Sequence, residues 1–154
     1  MNTLSIGDKA PNFEVKDHQG IVRKLTDYKG KKLVVFFYPK ASTPGCTAEA
    51  CNLRDNYQSF QSLGYEILGV SADTEKKQQN FVNKYNLPFP LLADENHEVI
   101  NGFGVWGPKK FMGKEFMGLI RSSFLIKNKK IIKEWRSVRV KNHAQEVLNY
   151  ITNK

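Results

Sequence analysis

Short apolar runs alternate with amphipathic stretches along the first two thirds of the chain. The run LVVFFYP at residues 33–39 is rich in β-branched and aromatic side chains, which is typical of a strand buried on both faces. From Pro44 apolar residues recur at steps of three and four until Gly64, and this spacing predicts a helix. The next elements are predicted as a strand at residues 65–72, a helix at residues 74–86 capped by Thr74, and a strand at residues 88–94.

Two hairpins and two further helices complete the predicted elements. The first hairpin is predicted to pair residues 13–16 with 22–26, and the second to pair residues 121–127 with 131–135. A short helix is predicted within residues 95–103, and a last helix runs from Asn142, as its cap, to Ile151. This order predicts an α/β fold with a central mixed sheet, helices on both faces and an N-terminal hairpin. With 154 residues and no linker or repeat, the chain is expected to form one domain over residues 1–154.

Composition and charge narrow the class of protein. Hydrophobic residues make up 40% of the chain and aromatics 12%, which argues against disorder. No secretory leader or membrane-length apolar stretch is found, so the protein is expected to be cytoplasmic, without a membrane partner. The net charge is +9, and seven bases against one acid fall within residues 127–141, a segment we call the basic stripe. Such a stripe can bind nucleic acid or an acidic protein, but no nucleic-acid-binding motif accompanies it, so nucleic acid is not expected as a partner.

The only two cysteines, Cys46 and Cys51, lie where the run at residues 33–39 gives way to the predicted helix. Sites in such sheets lie at the carboxyl ends of strands. Thr43 can cap this helix and Pro44 can be its first residue, which puts Cys46 in the first turn. Unpaired N–H groups and the helix dipole there favour a thiolate, the nucleophilic form of cysteine.

Other interpretations of the two cysteines remain open. Either can be a buried structural thiol, and for Cys51, on the possible apolar face of the helix, this is as plausible as a reactive role. Two cysteines at this spacing, with scattered histidines, make a poor zinc site. A cysteine–histidine hydrolase is possible but lacks a recognisable context for its histidine. The scattered histidines are His18, His97 and His143.

The five-residue spacing constrains any bond between the two thiols. On an intact α-helix the Cα atoms of Cys46 and Cys51 would lie about 8.6 Å apart, from a rise of about 7.5 Å and a turn of about 140°. A disulfide allows at most about 7 Å. If the two residues pair, the helix must therefore partly unwind, and the bond would be transient and reducible.

The pattern P-x-x-x-T-P-G-C-T-x-E-x-C-x-x-R-D at residues 39–55 resembles the active-site motif of the peroxiredoxins of the Q type, also called bacterioferritin comigratory proteins. GDKAPNF, LGVSAD, FPLLAD, GLIRSSFLI and HAQEVLNYI extend the resemblance over nearly the whole chain. It implies a thioredoxin-like fold and thiol-dependent reduction of hydrogen peroxide and organic hydroperoxides. The residue roles it implies are Cys46 as peroxidatic nucleophile, Cys51 as resolving cysteine, Thr43 as hydroxyl ligand of thiolate and peroxide, Pro39 as shield of the pocket, Arg121 as cation and Glu49 as a supporting residue.

The same resemblance implies a catalytic cycle without a cofactor. Cys46 becomes a sulfenic acid, Cys51 condenses with it, and thioredoxin or a similar dithiol reduces the disulfide. Similarity to the Q type favours a monomer. The chain departs from the family at Lys127, where an acid is usual, and at Ser123, where threonine is common. A thioredoxin-type thiol–disulfide exchanger is the alternative, although its C-x-x-C is missing, and a basic nucleic-acid-binding module is a third hypothesis.

Overall fold

The computed structural model describes residues 5–28, 31–136, 138 and 140–153. Its strands are β1 (Glu14–Lys16), β2 (Val22–Lys24), β3 (Lys32–Phe37), β4 (Tyr65–Ser71), β5 (Leu91–Ala93), β6 (Trp106–Phe111), β7 (Lys114–Leu119), β8 (Ser122–Lys127) and β9 (Lys130–Arg136). Its helices are α1 (Pro44–Asp55), α2 (Tyr57–Ser62), α3 (Glu75–Tyr85), α4 (Glu98–Gly102) and α5 (His143–Thr152), and a 3₁₀ turn follows β2 at Leu25–Tyr28.

A five-stranded sheet forms the centre of the fold, in the order β5-β4-β3-β8-β9. β3, β4 and β5 run parallel, whereas β8 and β9 run antiparallel to their neighbours, so the predicted mixed sheet is confirmed. From Leu33 onward the side chains of β3 are fully buried and alternate between the faces of the sheet, with Leu33, Val35 and Phe37 on one face and Val34 and Phe36 on the other. This is the burial on both faces that the apolar run predicts.

Helices cover both faces of the sheet, as predicted. α1, α2, α3 and α5 pack on one face through Leu53, Phe60, Phe81 and Val147. α4 packs on the other face through Ile100, together with the β1–β2 hairpin and the 3₁₀ turn. Within the described part of the chain, no helix has the length and apolar character needed to cross a membrane.

The helix predicted from Pro44 to Gly64 is in fact two helices. α1 ends at Asp55, and Asn56 separates it from α2. The Asn56 side chain donates from Nδ2 to the Asn52 carbonyl at 2.8 Å, and its backbone N–H donates to the Leu53 carbonyl at 3.2 Å. An asparagine that binds nearby backbone in this way favours a helix end, a local effect that apolar periodicity does not reveal.

A further hairpin, β6–β7, occupies a region where the sequence predicts no element. Its strands pair from Trp106 with Leu119 to Phe111 with Lys114. Met112 and Gly113 form the turn, both with positive φ (52° and 79°), which matches the two-residue turns that join twisted strands. The segment was missed because its glycines, lysines and proline are poor strand formers.

The predicted helix caps have mixed outcomes. Thr74 caps α3 as predicted, because its side chain accepts from the Lys77 backbone N–H at 3.2 Å. Asn142 occupies the cap position of α5 but makes no side-chain cap bond, and its φ is 62°. Thr43 likewise precedes α1 without capping it through its side chain. The predicted cap positions of Thr43 and Asn142 are therefore confirmed, but neither side chain makes the hydrogen bond expected of a cap.

Candidate active site

The cysteine-bearing helix begins at the carboxyl end of β3, where the sequence predicts a site. Fully buried Tyr38 follows β3, and half-buried Pro39 leads into the loop before α1. Pro44 is the first residue of α1, and Cys46 lies in its first turn, as predicted. The carboxyl ends of β3 and β4 meet here because the two strands are parallel.

Arg121 and the Cys46 thiol are in direct contact. Arg121 Nη2 lies 3.1 Å from Cys46 Sγ, and only 1% of the surface of Cys46 is exposed. The sheet register brings the pair together, since Phe37 at the end of β3 lies opposite Ser122, the residue after Arg121. Gly45 lies against the guanidinium, since a Cβ at this position would be in van der Waals contact with Arg121 Nη2 at 3.4 Å.

Glu49 holds the same guanidinium from its other side. Arg121 Nη1 donates to Glu49 Oε1 at 2.8 Å, and the Glu49 side chain is fully buried one turn after Cys46. Burial raises the pKa of Glu49 to about 7, although the charge and hydrogen bond of Arg121 act in the opposite direction. Burial alone would lower the pKa of Arg121, but Glu49 and Cys46 together raise it. The guanidinium therefore stays charged and aimed at the thiol.

A second cation approaches the site from the β6–β7 hairpin. Half-buried Lys109 donates from Nζ to the Leu119 carbonyl at 2.8 Å, and its stem crosses Gly118, where a Cβ would lie 3.1 Å from Lys109 Cδ. Burial lowers the pKa of Lys109, as does the like charge of Arg121, while Cys46 opposes the shift. Sequence reasoning missed this residue, because one lysine among many carries no local signal.

The Thr43 hydroxyl lies in the loop before α1. It donates to the Lys40 carbonyl at 2.7 Å, whereas the Thr43 carbonyl accepts the first helical bond, from the Thr47 N–H at 2.8 Å. With its proton committed to Lys40, the hydroxyl oxygen can still accept a hydrogen bond. Thr43 therefore presents an acceptor near the start of α1 in this conformation.

A partly buried polar network holds the loop that precedes α1. Asp73 Oδ2 accepts from the Ala41 backbone N–H at 2.7 Å and from the Ser71 hydroxyl at 2.6 Å. Gln78 Nε2 donates to the Ser71 Oγ at 2.9 Å, and Gln78 Oε1 accepts from the Tyr38 hydroxyl. These residues tie the loop to the end of β4 and to α3, and no sequence pattern singled them out as a set.

Cys51 lies farther along the same helix as Cys46. Both thiols are free, and Cys51 is half-buried. α1 is continuous from Pro44 to Asp55, so the spacing argument applies and a bond between the two cysteines requires α1 to unwind.

The histidines lie in separate places. The Leu91 N–H donates to His18 Nδ1 at 3.4 Å, the His97 ring packs on Trp106 with centroids 4.7 Å apart, and His143 Nε2 lies 2.8 Å from the Ser123 hydroxyl. Among the described residues, no group of three or more histidine, cysteine, aspartate or glutamate side chains could hold a metal ion. These contacts give a cysteine–histidine hydrolase no support.

Two bases of the basic stripe contact aromatic or acidic side chains of the same domain. Lys133 Nζ lies 5.7 Å from the centre of the Trp135 ring and 5.3 Å from that of Tyr150. Arg136 Nη2 lies 3.3 Å from Glu134 Oε2. Arg139, another member of the stripe, lies outside the described residues. The contacts of Lys133 and Arg136 favour a structural role for these two bases over a free nucleic-acid-binding face.

Comparisons with known proteins point to one family. The model of the AhpC/TSA family matches residues 6–135. The chain is 52% identical to Peroxiredoxin Bcp of Bacillus subtilis (strain 168), over 95% of this chain and 94% of that protein. It is 46% identical to Peroxiredoxin Bcp of Escherichia coli (strain K12), over 98% of this chain and 97% of that protein.

Solved structures agree with these relatives. A cysteine-to-serine mutant of Xylella fastidiosa PrxQ superposes with a TM-score of 0.92 at 32% identity, covering 99% of this chain and 98% of that one. A structure of the bacterioferritin comigratory protein of Xanthomonas campestris, described for its alkyl peroxide reduction activity, gives a TM-score of 0.86 at 34% identity over 92% and 90% of the two chains. The predicted thioredoxin-like fold is confirmed by this likeness.

Proposed function

The chain belongs to the AhpC/TSA family and is a peroxidase like its relatives named peroxiredoxins, and on that premise we propose that Cys46 is its peroxidatic nucleophile. Hydrogen peroxide and alkyl hydroperoxides are the proposed substrates. The observation that carries the proposal is the 3.1 Å contact between Arg121 Nη2 and Cys46 Sγ. A fixed guanidinium stabilises the thiolate, which is the form that attacks a peroxide.

The first step is a displacement at oxygen. The Cys46 thiolate attacks one peroxide oxygen, an S–O bond forms, and the O–O bond breaks with its electron pair going to the leaving oxygen. The leaving oxygen takes a proton from solvent and departs as water or an alcohol, and Cys46 is left as a sulfenic acid. Arg121 stabilises the negative charge that develops on this oxygen, and Glu49 keeps Arg121 in place.

Pro39 and Thr43 complete the proposed peroxide pocket. Half-buried Pro39 shields the thiolate from bulk water at the end of β3. The Thr43 hydroxyl oxygen accepts a hydrogen bond from the O–H of the incoming peroxide, since its own proton is directed at Lys40. The peroxide is thus oriented between Thr43 and Arg121, which lowers the entropic cost of the displacement.

The second step is resolution by Cys51. Its thiol condenses with the Cys46 sulfenic acid, an S–S bond forms, and water leaves. α1 must unwind before the two sulfur atoms can meet, because the intact helix holds the Cα atoms too far apart. Thioredoxin or a similar dithiol then reduces the disulfide by thiol–disulfide exchange. We propose that the protein acts as a single-domain monomer. Its compartment is the cytoplasm, where reducing conditions return the cysteine pair to thiols.

Substitution of each cysteine tests the proposed roles of Cys46 as the peroxidatic residue and Cys51 as the resolving residue. Peroxide consumption is followed with thioredoxin, thioredoxin reductase and NADPH. Cys46→Ser is expected to abolish consumption, whereas Cys51→Ser reduces one equivalent of peroxide and accumulates sulfenic acid on Cys46, detected by mass spectrometry after trapping. Equal first-turnover rates in Cys46→Ser and wild type would overturn the assignment. Insulin reduction by the wild type at a rate near that of thioredoxin would favour the exchanger instead.

A further inference from the structure

The N-terminus of α5 is capped by a residue of α1. Asn142, at the cap position of α5, makes no side-chain cap bond. The second N–H of the helix, that of Ala144, donates instead to Asn52 Oδ1 at 2.8 Å. Asparagine is among the best capping side chains, and the N–H that it satisfies here is one that the helix itself leaves unpaired. The cap of α5 thus comes from 92 residues away along the chain.

Further amide contacts strengthen this junction. Asn52 Nδ2 donates to Gln145 Oε1 at 3.2 Å, and Gln145 Nε2 donates to Asn56 Oδ1 at 3.4 Å. Ala50 and Leu53 of α1 lie in the same buried cluster as Ala144. The Asn52 side chain is therefore held on both its donor and its acceptor side as long as α1 is folded.

Asn52 directly follows Cys51, so the disulfide and the cap compete for the same stretch of backbone. The Cys46 and Cys51 thiols can meet only after α1 unwinds between the two residues. When the unwound segment includes Cys51, the next residue moves with it and the 2.8 Å contact between Asn52 and Ala144 is lost. The reduced form then has a capped α5, and the disulfide form has an uncapped one.

We propose that Asn52 is a positioning residue that opposes resolution by holding α1 folded against α5. The proposal rests on the proposed resolution by Cys51. In that step the Cys51 thiol displaces the hydroxyl of the Cys46 sulfenic acid, the S–S bond forms and water leaves, so Asn52 takes no part in bond making. It sets how readily the folded helix opens, and it therefore governs the competition between resolution and a second attack by peroxide on the sulfenic acid.

Asn52→Ala should shift the redox equilibrium of the cysteine pair. Loss of the cap destabilises the reduced form and leaves the disulfide form unaffected, so the disulfide is favoured roughly fivefold, the effect typical of losing a capping side chain. For a two-electron couple this is about 20 mV toward a more negative reduction potential. Asn52→Asp keeps an oxygen acceptor for the Ala144 N–H and should restore most of the wild-type potential.

The potential is measured by equilibration of each variant with glutathione or dithiothreitol buffers. Exposed Gln58 on α2 provides the matched control, and Gln58→Ala should keep the wild-type potential. Asn52→Ala should also need several-fold more peroxide for half-maximal overoxidation of Cys46, because its resolution is faster. A purely structural role for Asn52 would lower the melting temperature of both redox forms alike and leave the potential unchanged, which would overturn the proposal.

Hydrogen exchange in the wild type provides a test without any substitution. The Ala144 amide should be protected in the reduced protein and lose most of that protection in the disulfide form. Equal protection in both forms overturns the proposal even if Asn52→Ala fails to fold. Mass spectrometry after one equivalent of peroxide separates the two hypotheses. Absence of a Cys46–Cys51 disulfide overturns the proposed resolution by Cys51, whereas a disulfide with an unshifted potential in Asn52→Ala overturns only the role of Asn52.

Discussion

Replacing Glu49 by glutamine isolates the effect of a buried carboxyl group on stability. The Glu49 side chain is fully buried, and one of its oxygens accepts from Arg121 at 2.8 Å. Its other oxygen has no hydrogen-bond partner in the described part of the chain. Burial therefore outweighs the ion pair, and the pKa of Glu49 rises from 4.5 to about 7.

The sign and size of the pH effect follow from this shift. Between pH 4.5 and pH 7 the folded protein keeps the Glu49 proton while the unfolded chain releases it. The folded state binds more protons in this window, so the free energy of unfolding falls as pH rises. The rise in the pKa of Glu49 from 4.5 to about 7 corresponds to about 3 kcal/mol of unfolding free energy. This contribution is lost between pH 4.5 and pH 7, and at higher pH the contribution of Glu49 does not change further.

Urea unfolding of the reduced wild type and Glu49→Gln, from pH 4.5 to pH 8, measures the effect. Glutamine keeps an acceptor for Arg121 but cannot ionise, and all other titrations cancel in the difference between the two proteins. Relative to Glu49→Gln, the wild type should be about 3 kcal/mol less stable at pH 8 than at pH 4.5. Glu95→Gln, at an exposed glutamate, is the control and should show no such trend.

Two results would refute the reasoning about Glu49. A difference in unfolding free energy that is independent of pH would mean that the folded and unfolded states bind the Glu49 proton equally well. A wild type that gains stability relative to Glu49→Gln as pH rises would mean that the Arg121 charge outweighs burial. Only the second outcome would assign Glu49 a conventional stabilising ion pair with Arg121; the first would mean that burial and the ion pair cancel.

Three further predictions concern the cations and the redox states. Arg121→Met should slow the reaction of Cys46 with hydrogen peroxide roughly a hundredfold in stopped-flow measurements at pH 7. Arg54, which lies on α1 and donates from Nη1 to the Tyr85 carbonyl at 2.7 Å, provides the comparison, and an effect as large in Arg54→Met would contradict the assignment of the cation. Lys109→Met should slow the same step about threefold, because the lysine is half-buried and acts at longer range; no change would exclude an electrostatic contribution. The disulfide form should show less helix by circular dichroism and melt at a lower temperature than the reduced form, because α1 unwinds and the loop closed between Cys46 and Cys51 is too short to restrict the unfolded chain much. An unchanged helical signal with an equal or higher melting temperature would contradict resolution by unwinding.

The central elements and the position of the thiol could be predicted from the sequence. The apolar run before Pro39 specifies β3, and a proline at the first helical position, followed closely by Cys46, places that thiol in the first turn of α1. These features depend on backbone preferences and side-chain spacing over a few residues, which are local properties of the chain. The five-residue spacing of the cysteines likewise defines the need for unwinding once the helix is known.

The immediate surroundings of Cys46 were decided by the tertiary structure. Arg121 reaches the Cys46 thiol because β8 pairs with β3 in one register, although Arg121 and Cys46 lie 75 positions apart in the sequence. Lys109 depends on a hairpin whose composition does not predict a strand. Periodicity carries no information about such distant contacts, so among the bases of this chain only the resemblance to the peroxiredoxins singled out Arg121.

The helix termini show the same division between local and distant determinants. Thr74 caps its own helix through a neighbour three residues away, and its role could be predicted from the sequence. Thr43 and Asn142 occupy cap positions, yet their side chains do not cap, and Asn52 of another helix satisfies the Ala144 N–H. The sequence determines where a helix begins because that preference is local. The tertiary structure decides which side chain satisfies the helix end, because any donor or acceptor that packing brings within reach can compete for it.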